Sequence, residues 1–336
     1  MTQIFDRLPD VTDSQRAAIF SAARTSEAHA QLMREIPAMT GLEVGGSGPD
    51  APLAGRLSIA AWNVERCLDP EESAALLQRH DVKVALLSEM DSGMARTGQR
   101  NTVAAMAEAM GMHYAFGVEF YEMGLGGPTE RHFCKDDFNA RGWHGNGILS
   151  AAPFERLALI RLDRDGHWFT GAAGQTDQPR VGGRMAVAAV LPTEAGPVCV
   201  VSTHLESNAQ APHRHAELAR LLTEVEVFAG EMPVLIGGDL NTGNHMPPDY
   251  DWRQETLFAL AEERGYAWSL TPDGTTTRKS LITPHPTRKM KLDWFCHRGL
   301  TGAGGQIVPA LTPDDTPLSD HECLVGQVTV PASRCA

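Results

Sequence analysis

Val234-Leu235-Ile236-Gly237-Gly238-Asp239-Leu240-Asn241 is the stretch on which the reading of this chain turns. A short run of Val, Leu and Ile bounded by glycine reads as a buried strand, and the polar pair Asp239 and Asn241 falls where that strand ends. With a side-chain period of two, the carboxylate and the amide point to one face and enter one pocket side by side. Taken alone, Gly-Asp-Leu-Asn-Thr-Gly reads equally well as a polar turn.

Outward from that stretch the same event recurs. Residues 57–62, 82–87, 147–151, 157–162, 185–191, 198–203, 292–297 and 324–330 read as strands. Asn63, Glu89 and His204 stand just past three of these runs, Asp320 and His321 precede the last, and Asp293 lies within Leu-Asp-Trp-Phe. Polar residues must begin loops somewhere, so one such event is ordinary; its repetition is what points to a site. Between the strands, Asp69 is an expected N-cap with Pro70 at the first helical position and Glu71 and Glu72 in the first turn. Residues 101–110 read as a helix closed by Gly111, and 252–264 as one closed by Gly265. Leu218, Leu221, Leu222, Val225 and Phe228 form one apolar helical face that stops at Gly230. Residues 114–144 break the pattern, with glycines and polar residues of the kind that wall a pocket, and 272–291 read as a loop. Strands, some adjacent in sequence and some separated by helices, predict a mixed α/β layered fold. Residues 1–55 form a distinct opening: a capping box at Thr12 and Gln15, a helical stretch ending near Pro37, and a Gly/Pro-rich linker over 41–55. The expected organisation is a helical arm and linker (1–55) followed by a catalytic domain (56–336).

If those strand ends converge, the pocket holds the carboxylates of Glu89, Asp239 and Asp320, the amides of Asn63 and Asn241, and the imidazoles of His204 and His321. Hard oxygen donors without a thiolate suit Mg²⁺ or Mn²⁺, and imidazoles left over from ligation suit proton handling. The phosphate loop GxxxxGK[ST], the GxSxG elbow, the GxGxxG fingerprint and HExxH or CxxC zinc patterns are absent, which sets aside kinase, esterase, dinucleotide and zinc-hydrolase readings.

Seven segments in order carry a family resemblance: WNVER (62–66), LLSEMD (86–91), GNGILS (145–150), STHLES (202–207), GGDLN (237–241), KLDWF (291–295) and SDH (319–321). Together they resemble the endonuclease/exonuclease/phosphatase superfamily. The resemblance covers about residues 56–330. It implies a DNase I-like fold, a four-layer sandwich of two packed mixed β-sheets flanked by helices, and a phosphoric ester hydrolase with its site at one end. It also implies roles. Asn63, Glu89 and Asp320 match metal-holding positions, Asp239 the residue that orients or deprotonates the attacking water, and Asn241 its helper. His321 matches a general base or charge stabiliser held in one tautomer by Asp293, His204 a donor to a phosphoryl oxygen, and Asn146 a phosphate contact. STHLES and GGRMA look more like the sphingomyelinase and tyrosyl-DNA phosphodiesterase branches than the apurinic endonucleases.

Several residues keep two readings. Arg184 reaches a phosphate with its fork or pairs with a nearby acid; Asp293 orients His321 or satisfies strand-end donors. Arg141, Trp143 and His144 line the substrate cleft or pack a loop, and His213 and His215 read as solvated. Arg278, Lys279, Arg288, Lys289 and Lys291 form the one basic concentration, an electrostatic funnel or a solvated loop. The formal net charge of −13 repels polyanions, so a small or lipid-like phosphoester is the expected substrate and nucleic acid the less favoured partner. A DNA nuclease or end-processing phosphodiesterase is the alternative. A catalytically silent binding module would have lost one of the acids or histidines, and all are present. The six cysteines (Cys67, Cys134, Cys199, Cys296, Cys323, Cys335) are scattered without a CxxC pair, several of them inside apolar runs, and read as reduced core residues. The N-terminus lacks an export pattern and no run approaches a membrane span, so a cytoplasmic protein is expected.

Overall fold

The structure, a computed structural model, describes residues 2–173, 179–247, 249–285, 289–302 and 304–332; Arg288 and Cys335 lie outside them. The chain opens with strand β1 (Gln3–Phe5), helices α1 (Asp13–Ser21) and α2 (Ser26–Glu35), and strand β2 (Gly41–Gly46). The capping box forms: the Thr12 hydroxyl accepts from the Gln15 backbone N–H at 3.3 Å and the Gln15 side chain accepts from the Thr12 N–H at 2.9 Å. The expected helical stretch is two helices, because Thr25 starts a second one with its own N-cap, accepting from Ala28 N–H at 3.2 Å. The expected linker departs further. Its first residues, Gly41–Gly46, are a strand inside the main sheet, and glycine permits it: a Cβ on Gly46 (φ +92°) would meet the Met112 carbonyl oxygen at 2.2 Å.

The next unit runs β3 (Arg56–Arg66), α3 (Pro70–Arg79), β4 (Val84–Ser92), α4 (Thr102–Met110), β5 (His113–Glu122), α5 (Pro128–Arg131) and β6 (Trp143–Ser150). Asp69 caps α3 through Glu72 N–H at 3.1 Å, and α4 stops at left-handed Gly111 (φ +62°), both where the sequence places them. Strand β5 occupies the segment expected to lack regular structure. Its residues are buried on both faces apart from His113, so the alternation that marks a half-exposed strand is missing. Then come β7 (Arg156–Arg161), β8 (Arg180–Gly182), β9 (Met185–Leu191), β10 (Val198–His204), α6 (Ala211–Ala229), β11 (Val234–Asp239), α7 (Leu257–Glu263), β12 (Asp293–Arg298), β13 (Thr301–Gly302), β14 (Gln306–Val308) and β15 (Cys323–Thr329). A separate 3₁₀ turn at Trp252–Gln254 precedes α7, where one longer helix was expected.

Two mixed sheets result. The first has the order β1-β2-β5-β6-β4-β3-β15-β13, with β14 on β15 and β8 on β5; the second is β12-β11-β10-β9-β7. Their facing sides share one core, including Ile59, Leu86, Ile148, Val187, Leu235, Phe295 and Leu324. Leu76, Leu77, Val103 and Met106 of α3 and α4, together with Ile19 and Leu32 of α1 and α2, cover the outside of the first sheet. Leu218, Leu221, Leu222 and Val225 of α6 and Leu257 of α7 cover the second. The layers are helix, sheet, sheet, helix, the expected four-layer sandwich. Cys67, Cys199, Cys296 and Cys323 are free and buried, as expected for core thiols, and Cys134 is free and partly buried.

Candidate active site

Strand register builds the site. Strand β11 lies parallel to β10 and antiparallel to β12, and its last residue, Asp239, is paired with His204 on one side and Asp293 on the other. A Cβ on Gly238 would meet the Thr203 carbonyl oxygen at 1.9 Å, so this glycine lets β10 and β11 close at the end that carries His204 and Asp239. From the first sheet, β3 delivers Asn63, whose Nδ2 donates to Asp239 Oδ2 at 3.1 Å across the two sheets. The Asn63 carbonyl accepts from Ser319 Oγ at 2.6 Å, and Ser319 Oγ accepts from His321 N–H at 2.9 Å, which ties the SDH turn to β3.

Asp239 is therefore a hub. Its Oδ1 accepts from Asn241 N–H at 2.8 Å, while His204 Nε2 and His321 Nε2 each stand 3.6 Å from its Oδ2. His321 Nδ1 meets Asp293 Oδ2 at 2.8 Å, leaving Nε2 turned toward Asp239. Burial opposes a charge on His321, but Asp293, Asp239 and Asp320 outweigh it and hold its pKa well above the usual imidazole range. Burial pushes Asp293 up, and His321 offsets part of that. Asn241 Nδ2 donates to the Leu205 carbonyl at 3.0 Å, so the amide is fixed against the end of β10.

Glu89 sits at a bulge, where β4 slips register against both β3 and β6, in left-handed backbone (φ +58°). The extra residue turns its carboxylate out of the ladder, where it pairs with Arg66. Asp320 keeps its side chain 24% exposed, with His321 Nε2 4.0 Å away. Asn63 Oδ1, the two carboxylates and the absence of any thiolate from this set fit a hard divalent cation by donor chemistry. Asp239, Asp293 and His321 form a second set whose ligand atoms all lie within 4.8 Å of one another. In that set the imidazole already shares a proton with Asp293, which suits proton handling.

Around the hub lie further residues, among them three acids that the sequence did not single out, Glu119, Glu206 and Glu65. Arg184, buried, pairs with Glu119 at 2.5 Å and Glu206 at 3.1 Å, and its Nη1 lies 2.8 Å from His204 Nδ1. Of its two expected roles, pairing with acids is the one the geometry realises. Burial alone would raise both acids, yet Arg184 and His204 hold Glu119 far below the usual carboxylate range and Arg184 holds Glu206 at about 2. Glu65 accepts from Ser280 and Thr283 hydroxyls, each at 2.7 Å, and is pushed up to about 7 by burial and by Asp320. Asn146 is buried between the sheets, its Nδ2 donating to the Met185 carbonyl at 2.9 Å. The structure draws Arg141, Trp143 and His144 into packing: Arg141 with Asp10 at 2.8 Å, Trp143 against Tyr121, and His144 on Asp91 at 2.9 Å. In the basic loop, Arg278 pairs with Glu322 at 3.2 Å and Lys291 is buried, so the expected funnel is reduced. His213, expected in solvent, lies 3.6 Å from Glu217, and His215 reaches Thr256 at 2.8 Å.

The sequence matches the Endonuclease/Exonuclease/phosphatase family over residues 60–321. The chain belongs to that family. By that membership it is a metal-dependent phosphoester hydrolase. No curated protein sequence matches the chain. Among solved structures, the family protein from Beutenbergia cavernae is 17% identical with a TM-score of 0.58, covering 84% of this chain and 73% of that one. The catalytic domain of human Nocturnin with a bound sulfate is 19% identical (TM-score 0.54; 83% of this chain, 96% of that one). TDP2 of D. rerio complexed with a single-strand DNA product is 16% identical (TM-score 0.52; 82% and 99%). At such identities the likeness is one of fold, and it agrees with the four layers described above. No helix among the described residues is long and apolar enough to cross a membrane.

Proposed function

We propose that this family member hydrolyses a small phosphoester, as phosphodiesterase or phosphatase, by in-line attack of a water activated at Asp239. The convergence of Asn63, His204 and His321 on Asp239 Oδ2 carries the reading. Asn63, Glu89 and Asp320 would hold Mg²⁺ or Mn²⁺, which neutralises phosphoryl oxygens when bound. Asn241 N–H fixes Asp239 Oδ1, so Oδ2 is the oxygen presented to water. The water's proton passes to Asp239, and His321, oriented by Asp293 and favoured in its charged form, stabilises charge on the phosphoryl oxygens. His204, braced by Arg184, donates to a non-bridging oxygen as charge builds there. Asn146 supports the same end of the inter-sheet space. The catalytic unit is residues 56–336, with the strand Gly41–Gly46 completing its first sheet and the helices before it as a covering segment, and the free buried thiols support a cytoplasmic location.

A DNA end-processing role is the second reading, supported by the fold shared with D. rerio TDP2 and opposed by the net charge of −13. Bis-p-nitrophenyl phosphate, p-nitrophenyl phosphate, single and duplex DNA and a lysophospholipid, each with and without Mg²⁺ or Mn²⁺, separate the two. Glu89→Gln and Asp239→Asn should each lower turnover by about 10²–10⁴-fold with the fold intact by circular dichroism. Activity retained in both purified variants would sink the proposal.

A further inference from the structure

Beside the Asp239–Asn241 corner a groove runs along the outer face of the second sheet. Two cavities, of about 290 and about 520 Å³, adjoin there and share Trp252, Arg253, Asp273 and Lys291 in their walls. The groove is joined to the catalytic end by Thr242, which follows Asn241. Its hydroxyl donates to the Lys291 carbonyl at 2.7 Å and accepts from Trp294 Nε1–H at 3.1 Å.

Lys291 is only 6% exposed, yet it lines both cavities. It lies 4.2 Å from the Trp294 ring centroid and 5.2 Å from that of Trp252. Its carboxylate partner, Asp273, is 3.6 Å away on a side chain that is 94% exposed. A buried ammonium with a solvated partner gains from an anion that enters the groove. Arg253 lies 4.3 Å over Trp252 at the mouth, with Asp251 3.2 Å from its guanidinium. Aromatic walls of this kind hold quaternary ammonium groups in other settings, but here two resident cations already lie against the indoles and would repel a third. Of the acids in the same walls, Glu255 is taken by Arg214 and Asp273 is solvated, so the Lys291–Arg253 edge is where an anion is drawn, and the partly exposed rings of Trp252, Phe258 and Trp268 offer its attached body surfaces for stacking.

We propose that this groove is a substrate subsite in which Lys291, with Arg253, binds a phosphate other than the one hydrolysed while the indoles stack a nucleobase. The substrate class is then a small nucleotide carrying a second phosphate. The assignment as a substrate subsite rests on hydrolysis taking place at the Asp239 corner.

Tryptophan fluorescence of the full-length protein in EDTA reads the groove without turnover. Thymidine 5′-monophosphate should bind at least tenfold more tightly than thymidine and at least tenfold more tightly than inorganic phosphate. The first ratio should fall below twofold in Lys291→Met and return in Lys291→Arg; the second should fall in Trp252→Ala. Equal affinities for nucleotide and nucleoside in the wild type overturn the proposal, as does a ratio that survives in Lys291→Met. So does tighter binding of oleoyl lysophosphatidate than of the nucleotide, which would make the groove a lipid site. Failure here leaves the phosphoesterase reading standing, whereas an inactive protein in the assays above removes that reading and leaves the groove to the titration.

Discussion

Asp239 offers one carboxylate oxygen to its own loop and the other to three side chains from three other strands or turns. That division separates water handling from metal holding, and it can be measured. Glu89→Gln should weaken Mn²⁺ binding, followed by electron paramagnetic resonance, by at least about tenfold. Asp293→Asn should leave Mn²⁺ affinity within twofold while kcat falls roughly 10²-fold, because His321 loses the carboxylate charge that orients its ring and stabilises its charged form. The reverse pattern would put the cation in the Asp239, Asp293 and His321 group. Behind the hub, Arg184 is the countercharge of two buried acids. Arg184→Met should cost about 3–5 kcal/mol in urea unfolding, since Glu119 and Glu206 are left charged and unpaired; a loss under 1 kcal/mol would contradict that account. Asn63, Asp239, His204, Asp293 and His321 were legible in the sequence because each stands at or beside an apolar run that announces its strand. Glu119, Glu206 and Glu65 were not. An acid within a strand, or just past one as Glu206 is, becomes part of a site only when the fold sets an arginine or a hydroxyl against it, and no local spacing encodes that partner.

At the scale of elements, capped helices and strands written as continuous apolar runs were readable, such as β9, β10 and β11, and the strands β2 and β5, whose apolar residues are broken up by Gly and Glu, were not. The α3 N-cap fell at Asp69 and the α4 stop at Gly111, as the sequence placed them. Strand β5 has almost no exposed face to mark a period of two, and β2 is specified by its partner more than by its own residues. The helical arm is bound to this sheet through a titratable contact. His29 on α2 accepts from the Gly182 backbone N–H at 3.1 Å through Nε2 and packs against Phe169, so it is neutral when folded. Burial is the main cause of its lowered pKa; Asp163 and the Gly182 bond oppose the shift, and Arg161 adds to it. A folded pKa below the unfolded value means that the unfolded chain binds the extra proton first. The stabilisation is complete above pH 6.5, the ordinary imidazole value, and is lost as the pH falls through the lower folded value. The urea midpoint should drop between pH 7.5 and 5, and less steeply in His29→Gln, whose amide oxygen can accept the same N–H without titrating. Identical slopes for both proteins would show that the arm does not sense protons through His29.

Over the whole molecule, the charge of −13 acts on every anionic substrate before any side chain touches it. The field extends about 30 Å at 0.01 M salt and about 10 Å at 0.1 M. Repulsion lowers the encounter rate, so screening it should raise kcat/KM for a small anionic ester. Between 10 and 200 mM KCl at fixed Mg²⁺, kcat/KM for bis-p-nitrophenyl phosphate should rise, by up to a few fold. An enzyme that grips a DNA backbone behaves oppositely, because each phosphate neutralised by Lys or Arg releases counterions and affinity falls steeply with salt. Little among the described residues supports such a grip: Arg278 is engaged by Glu322, and Lys291 is buried beside Trp294 and forms no open basic track. The sign of the salt dependence thus decides between the two substrate classes without knowledge of the natural substrate. A rise for the small ester together with weak duplex cleavage supports the small phosphoester, and a steep fall for both would return DNA processing to first place.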